Sequence, residues 1–231
     1  PKLQKKKVIT DLKKISLKKK NFANFNFLKL PNIMGVLNIT PDSFSDGGKF
    51  LKNYSAEKHI KKLVFDGADI IDIGGESTRP GAKDINIKEE WKRIQPKLNF
   101  LKKKNFFISL DTRKSLIIKK SLDYNINLVN DISGLTYDKD TIRVLKKNKI
   151  PFIIHHARGT PLTMQRNPKF KNVILDIYDY FEEKINFIRS NNIKHNNIIL
   201  DPGIGFGKNL KHNITLISQV SIFHSLGFPI M

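Results

Sequence analysis

Four polar residues stand directly after short apolar runs, at the points where buried strands would end. Asn38 follows IMGVL, Asp111 follows FFISL, Asn130 follows LV, and Asp201 follows IIL. Parallel strands present the side chains at their C-terminal ends at one edge of the sheet, where ligands bind. Oxygens that converge there can accept hydrogen bonds from a flat heterocycle with several N–H donors. Helix capping is the simpler interpretation of Asp111, Asn130 or Asp201 taken alone, and Asp111 precedes Thr112-Arg113, where a helix is predicted to begin.

Asn38 and Arg79 are suited to charged ligands. The amide oxygen of Asn38 is a neutral, hard ligand of the kind that Mg²⁺ uses when it keeps several waters and contacts substrate phosphates. Arg79 lies in a Thr-Arg-Pro-Gly loop, and its guanidinium can bind an anion through two parallel hydrogen bonds. An Asx turn at Asn38 and a solvated surface position for Arg79 are the alternatives.

The glycine-rich segment 203–208 does not match known phosphate-binding patterns. A P-loop has four residues between its first glycine and Gly-Lys and continues with Ser or Thr, whereas three residues separate Gly203 from Gly207 and Asn209 follows Lys208. The third glycine of a dinucleotide-binding fingerprint is also misplaced. These glycines are instead expected to let the backbone approach a ligand.

The pair His155-His156 has no third ligand at suitable spacing, which argues against a metal there.

Apolar runs alternate with segments of helical periodicity along most of the chain. Strands are predicted at 33–38, 68–73, 106–110, 128–132, 151–154 and 198–200. Helices are predicted at 55–66 with Ser55 as a cap, at 87–103 with a kink or an end at Pro96, and at 114–124, 139–147, 173–190 and 213–225. This alternation implies an α/β fold with a parallel sheet and right-handed crossovers.

Every predicted strand ends in polar groups, which favours a (β/α)8 TIM barrel over a doubly wound sheet with its single switch point. The chain stops at Met231, where a seventh strand is predicted to begin. The barrel is therefore expected to be C-terminally incomplete, with unit eight absent. Residues 32–231 are predicted to form this barrel domain, and residues 1–31 a basic N-terminal arm with an extended lead-in segment.

Composition restricts the class of protein. A chain of 231 residues with 39% hydrophobic residues can bury one large core. Lys and Arg number 42 against 21 Asp and Glu, a net charge of +21, but the lysines are spread along predicted helix surfaces and indicate a solvated surface rather than a nucleic-acid site. There are no cysteines, and no apolar run approaches the ~20 residues of a membrane span. We expect a cytoplasmic protein without membrane or nucleic-acid partners.

Five segments together resemble the dihydropteroate synthase family of pterin-binding enzymes. They are LNITPDSFSDGG at 37–48, GADIIDIGGESTRPGA at 67–82, SLDT at 109–112, VNDISG at 129–134 and ILDPGIGFGKNLKHN at 199–213. The resemblance covers residues 33–231, with matching order and spacing. It implies a TIM-barrel transferase of folate biosynthesis that condenses 6-hydroxymethyl-7,8-dihydropterin pyrophosphate with p-aminobenzoate to give 7,8-dihydropteroate and pyrophosphate. It also implies Mg²⁺ as cofactor and a homodimer.

The same resemblance implies roles for individual residues. Asn38 would hold Mg²⁺ with the pyrophosphate, and Asp111 and Arg79 would be catalytic. Contacts with the pterin are implied for Asp111, Asn130, Ile132, Asp201 and Phe206. Contacts with p-aminobenzoate and pyrophosphate are implied for Phe44, Thr78, Arg79 and Pro80. The implied chemistry is dissociative: the C–O bond breaks first, Arg79 stabilises the departing pyrophosphate, and Asp111 stabilises the cationic pterin.

Two departures from the family pattern stand out. The family's Met-His-Met-Gln-Gly corresponds to residues 155–159, HHARG, which puts Ala157 where a methionine would pack over the pterin. The family's Ser-Arg-Lys after strand seven and Arg-x-His after strand eight would lie beyond Met231, so residues 1–231 alone are expected to be inactive. Two alternatives are a pterin-binding methyltransferase module, which the TPDSFSD loop disfavours, and a basic non-enzymatic or nucleic-acid-binding remnant, which the charge would fit.

Overall fold

The computed structural model describes residues 2–16, 21–22, 25–26, 31–40, 53–77, 82, 84–159, 163–164, 167–193 and 197–231. Its strands are β1 (Asn21–Phe22), β2 (Phe25–Asn26), β3 (Met34–Asn38), β4 (Ile70–Gly74), β5 (Ile108–Asp111), β6 (Leu128–Asp131), β7 (Phe152–His155) and β8 (Ile198–Asp201). Its helices are α1 (Lys2–Ser16), α2 (Asn53–Phe65), α3 (Ile87–Lys103), α4 (Ser115–Ser121), α5 (Thr141–Asn148), α6 (Val173–Ser190) and α7 (Leu210–Gln219). Short 3₁₀ segments follow α4 at Leu122–Tyr124 and α7 at Val220–Leu226.

Strands β3 to β8 form one parallel sheet whose spatial order is the order of the chain. A doubly wound sheet would reverse its order at a switch point, whereas a barrel adds each strand beside the preceding one. The observed order therefore supports the predicted barrel. After β8, Ile230 forms a parallel bridge with Leu200, at the position where the sequence predicts a seventh strand to begin.

The core lies between the sheet and its helices. Strands β4 to β7 are buried at every position, as expected for parallel strands that are covered on both faces and read as continuous apolar runs. Helix α3 contributes Ile94, Leu98 and Leu101, an apolar stripe at four- and three-residue spacing whose side chains are all fully buried. This packing holds the strand ends, and with them the polar residues that follow, in fixed positions.

Helices α3 and α6 have the predicted bounds, but several other boundaries differ. Pro96 lies inside α3 and does not end it, because the buried stripe holds the helix on both sides of the proline. Helix α2 begins at Asn53, so Ser55 is not its cap. Helix α7 begins at Leu210 rather than at residue 213, because Asn209 caps it by accepting a hydrogen bond from the backbone N–H of His212.

The lysine-rich N-terminal segment contains α1, a helix that the composition alone did not indicate. Its described side chains are exposed, and the helix packs against the 3₁₀ segment Val220–Leu226. No helix in the described part of the chain combines the length and the apolar character needed to cross a membrane.

Candidate active site

Asp111 ends β5 at the centre of the candidate site. It is 9% exposed and pairs in register with Gly74 of β4. A Cβ at Gly74 would approach Asp111 Oδ2 to 2.9 Å, so the missing side chain makes room for the carboxylate. Burial, and then repulsion from Asp72 and from more distant carboxylates, raises the pKa of Asp111 well above its ordinary value. The carboxyl therefore keeps its proton to a higher pH than a solvated one, and a cation bound beside it would favour the ionised form.

Asn130 of β6 is the register partner of Asp111. Its Nδ2 donates to Asp72 Oδ2 at 3.1 Å, which orients the amide and leaves its Oδ1 buried and without a partner among the described residues. An unpaired buried acceptor costs about 1–3 kcal/mol, so this oxygen is ready to accept a donor from a ligand. Burial also raises the pKa of Asp72. One feature of the sequence indicates Asp72, because its carboxylate interrupts an otherwise apolar strand.

Asp201 ends β8 next to His155 of β7. Its Oδ2 lies 2.8 Å from His155 Nδ1, and its Oδ1 accepts a hydrogen bond from the backbone N–H of Gly203, also at 2.8 Å. Asp201 is close enough to Asp72 to raise the pKa of that carboxyl further. The three predicted acceptors at the ends of β5, β6 and β8 are thus brought together.

None of these carboxylates acts as the cap of a following helix. Helix α4 begins after Lys114, which provides no side-chain cap, and the backbone N–H of Ser115 donates to Asp138 instead. The capping alternative for Asp111 is therefore wrong.

A cavity of about 400 Å³ opens beside these strand ends. Ile132, Ala157 and Phe206 line it together with Met164 and Tyr180. Ile132 and Phe206, both predicted to lie near a pterin ring, therefore line the same cavity. Ala157 lines it too, and its contact with a pterin stays a prediction.

A buried network of ion pairs lies next to the site and joins residues that follow β4 and β5 to helix α3. Lys114 Nζ donates to Glu76 Oε1 at 2.8 Å and to Glu90 Oε2 at 2.6 Å. Arg113 Nε donates to the other oxygen of Glu76 at 2.8 Å, and Thr112 Oγ1 donates to Glu90 Oε1 at 2.6 Å. Burial opposes the charge on Lys114, but the two carboxylates outweigh it and raise the pKa of the ammonium group. The network fixes the segments that follow β4 and β5.

Segment 203–208 packs on the segment after β7. A Cβ at Gly203 would come within 2.0 Å of His156 O, and one at Gly207 within 2.8 Å of Arg158 O. These two glycines thus allow contact between two backbones of the protein, where the sequence predicts contact with a ligand. Lys208 Nζ lies 3.0 Å from His156 Nδ1, and burial lowers the pKa of Lys208 to about 7 and that of His156 to about 3.

The remaining predicted site residues are distributed as follows. Asn38 ends β3 as the register partner of Gly74, and β4 lies between it and Asp111 of β5. Phe44, Thr78, Arg79 and Pro80 lie outside the described residues. Among the residues that are described, no three His, Cys, Asp or Glu side chains are grouped so that they could hold a metal ion.

Parallel strands in barrel order that end in buried hydrogen-bond acceptors, with a cavity beside them, are typical of a barrel enzyme that binds a small heterocycle. The family model described as "Pterin binding enzyme" matches residues 34–231. The dihydropteroate synthase of Synechocystis is 40% identical over 208 residues, covering 90% of this chain and 72% of its own length. The Escherichia coli K12 enzyme is 38% identical over 215 residues, covering 92% and 76%.

Solved structures of dihydropteroate synthases are also similar to this chain in fold and sequence. The Yersinia pestis dihydropteroate synthase in a sulfonamide drug complex has a TM-score of 0.82 and 38% identity, covering 87% of this chain and 73% of that chain. The Xanthomonas albilineans enzyme with 4-aminobenzoic acid has a TM-score of 0.77 and 30% identity, covering 87% and 71%. This chain belongs to the dihydropteroate synthase family.

Proposed function

We propose that this protein condenses 6-hydroxymethyl-7,8-dihydropterin pyrophosphate with p-aminobenzoate, which gives 7,8-dihydropteroate and pyrophosphate in folate biosynthesis. The observation that carries the proposal is the position of Asp111, a buried carboxylate at the barrel mouth whose pKa is raised by burial and by the neighbouring Asp72. In its ionised form, such a group stabilises a positively charged reactant more strongly than a solvated carboxylate would, because water does not screen the interaction.

Asp111, Asn130 and Asp201 would recognise the pterin. All three present oxygen acceptors, and the amide of Asn130, held by its hydrogen bond to Asp72, leaves its Oδ1 without a partner among the described residues. A pterin presents ring and amino N–H groups along one edge, which matches a row of acceptors. Ile132 and Phe206 would pack against its ring, since both line the adjacent cavity.

The reaction would begin with loss of pyrophosphate. The C–O bond at the pterin methylene group breaks, its electron pair leaves with the pyrophosphate, and the positive charge that remains is delocalised into the pterin. The carboxylate of Asp111 stabilises that positive charge as it develops. The lone pair of the p-aminobenzoate amine then forms the new C–N bond, and the amine releases a proton. An interaction that strengthens as charge develops lowers the barrier without tightening substrate binding.

Asn38 would hold Mg²⁺ together with the pyrophosphate. Its amide offers the hard, neutral oxygen that this ion accepts, and substrate oxygens and waters would complete the shell. When bound, the ion supplies positive charge that stabilises the pyrophosphate as it leaves. Arg79 would add a guanidinium to the same anion, with Phe44, Thr78 and Pro80 around the p-aminobenzoate.

The protein would act in the cytoplasm as a homodimer. Helix α7 supports association, because Leu210, Ile214 and Ile217 recur on one of its faces and are exposed. Such a stripe on a surface helix is typical of an interface. Sedimentation of the wild type beside Ile214→Glu tests this proposal, and a wild-type monomer would contradict it.

Substitution of Asp111 tests the proposed chemistry. In the full-length protein, Asp111→Asn keeps the size and several hydrogen bonds but loses the charge, so kcat should fall by about 10²–10³, with a much smaller change in KM for the pterin substrate. Asp138→Asn, at a partly exposed turn, is the matched control. If KM rises and kcat is unchanged, Asp111 only binds the pterin and the mechanism is wrong.

A further inference from the structure

We infer that His155 is a positioning residue for the pterin end of the site, which orients the carboxylate of Asp201 and the ring of Phe206 at the same time. The inference rests on the proposed function, because it assumes that these two side chains contact the pterin. It adds a residue to which neither the sequence patterns nor the proposed mechanism gives a role.

Strand register brings His155 and Asp201 together. They are paired residues at the ends of β7 and β8, and side chains of paired residues on adjacent parallel strands lie side by side. His155 Nδ1 is 2.8 Å from Asp201 Oδ2, with the two side chains 3% and 15% exposed. The contact is therefore largely shielded from water, where a hydrogen bond to a charged group is at its strongest.

The carboxylate of Asp201 is held at both oxygens. The backbone N–H of Gly203 donates to Oδ1 at 2.8 Å, while His155 engages Oδ2. Two donors on different oxygens prevent rotation of the carboxylate, because any rotation would break one of the bonds. The lone pairs that remain are therefore aimed in fixed directions before a ligand arrives, which lowers the entropy cost of binding.

The same imidazole contacts Phe206. The ring centroids are 4.6 Å apart and the ring planes are inclined at 83°, an edge-to-face arrangement that is favourable for aromatic pairs. The backbone of His155 is itself fixed, since Tyr180 Oη donates to its carbonyl at 2.8 Å. A single buried side chain thus links the polar and the apolar contacts proposed for the pterin.

The geometry requires one tautomer. If Asp201 accepts the hydrogen bond, the proton must be on Nδ1 of His155. Its Nε2 is buried and has no hydrogen-bond partner among the described residues, so no contact there competes with the bond to Asp201 in deciding where the proton lies.

Nuclear magnetic resonance of the ¹⁵N-labelled full chain tests this step without any substrate. His155→Asn assigns the His155 signals by their loss from the spectrum of the six histidines. We expect long-range correlations that place the proton on Nδ1. A ring with its proton on Nε2 alone would overturn the inference whatever the outcome for the enzyme.

Binding of 6-hydroxymethylpterin, measured by calorimetry, tests the consequence. His155→Phe keeps an aromatic ring and loses the donor, so Kd should rise at least tenfold. His155→Asn retains an N–H near the Nδ1 position and loses only the ring contact with Phe206, so its Kd should rise less than that of His155→Phe. If the Phe variant does not fold, His155→Gln replaces it, because its amide reaches the Nε2 position and not the Nδ1 position.

The outcomes separate the two proposals. Unchanged affinity in the donor-free variants, with a tight wild-type complex, would overturn the role of His155 and leave the proposed function standing. A wild-type protein that does not bind 6-hydroxymethylpterin would overturn the proposed function, and with it the role of His155. Weaker binding by His155→Asn than by His155→Phe would show that the hydrogen bond is not what positions Asp201.

Discussion

Asn130 donates its side-chain amide to Asp72 at 3.1 Å, so that β4 and β6 are joined over the strand that separates them. Both residues are buried, and the bond decides which end of the amide is left for a ligand. Asn130 is thereby set as an acceptor beside Asp111, its register partner on β5. Asp72, to which the sequence analysis gives no role, thus determines which atom of Asn130, a predicted site residue, is left for a ligand.

Removal of Asp72 should therefore weaken pterin binding. In Asp72→Ala the amide of Asn130 loses its partner and can turn its N–H groups toward the ligand, so we expect Kd for 6-hydroxymethylpterin to rise by about 10- to 100-fold, the equivalent of ~1.5–3 kcal/mol. Asp72→Asn is the matched control, because its carbonyl can still accept from Asn130, and calorimetry should give a Kd near that of the wild type. Equal affinities for the Ala and Asn variants would contradict the assigned role.

The fold follows from local patterns. Helices α3 and α6 have the predicted bounds because each carries an apolar stripe and begins after an asparagine whose side chain caps it: Asn86 accepts from the N–H of Glu89, and Asn172 from the N–H groups of Ile174 and Leu175. Both signals lie within a few residues of the boundary. The strand ends were predictable for the same reason, since each apolar run stops at a polar residue.

The partners within the site could not be predicted in this way. Asp72 and Asn130 are 58 positions apart, and His155 and Asp201 are 46 apart. Which pairs meet depends on strand register, and register is set by packing of the whole sheet. The roles of Asn38, Phe44 and residues 78–80 stay predictions.

Asp111 should stabilise the reaction at the expense of the fold. Its pKa is raised by burial and by repulsion from Asp72, so the folded protein retains a proton that the unfolded chain loses near pH 4. Stability is therefore lost as pH rises from about 4 through the raised pKa. Asp111→Asn removes this cost, so thermal melts should show a variant more stable than the wild type at pH 8, with a gain that shrinks at pH 4. A variant less stable than the wild type at pH 8 would refute this explanation.

His156 should make the fold sensitive to acid. Burial, and then the nearby charge of Lys208, lowers the pKa of His156 to about 3, whereas the unfolded chain takes up a proton near pH 6.5. Stability is thus complete above pH 6.5 and falls by up to ~1.4 kcal/mol per pH unit between 6.5 and 3. His156→Asn keeps an acceptor for Lys208 without a titrating ring. Its free energy of unfolding, measured by urea denaturation from pH 7 to 4, should therefore change less with pH than that of the wild type. The exposed His224 gives a control, since His224→Asn should leave the pH dependence of the free energy of unfolding as it is in the wild type.

Asn38 should make pyrophosphate binding depend on Mg²⁺. In the full-length protein, Asn38→Ala removes the neutral oxygen at the end of β3, and calorimetry with and without Mg²⁺ should show that the ion no longer strengthens pyrophosphate binding. Asn191→Ala is the control, because Asn191 follows the C-terminal end of α6, away from the strand ends. The same metal dependence in wild type and Asn38→Ala would exclude Asn38 as a ligand.

The ion network around Lys114 should matter more to stability than any surface pair. Lys114 lies between Glu76 and Glu90, and all three side chains are less than 8% exposed. Lys114→Met keeps the length of the side chain but leaves two buried carboxylates without their shared cation, which typically costs about 3–5 kcal/mol. Denaturant unfolding should show this loss as a lower midpoint with an unchanged slope.

Arg143 provides the comparison for Lys114. It pairs with Asp140 at 2.9 Å, but the two side chains are 72% and 52% exposed, and such pairs contribute about 0–1 kcal/mol because water and salt screen them. Arg143→Met should therefore change the midpoint little. Because Glu76 also accepts from the backbone N–H of Ile85, Lys114→Met should in addition loosen the segment after β4, and proteolysis there should become faster than in Arg143→Met. Similar midpoints for the two variants would mean that the buried carboxylates are neutralised by protonation when Lys114 is removed, and the free energy of unfolding of Lys114→Met would then fall steeply as pH rises.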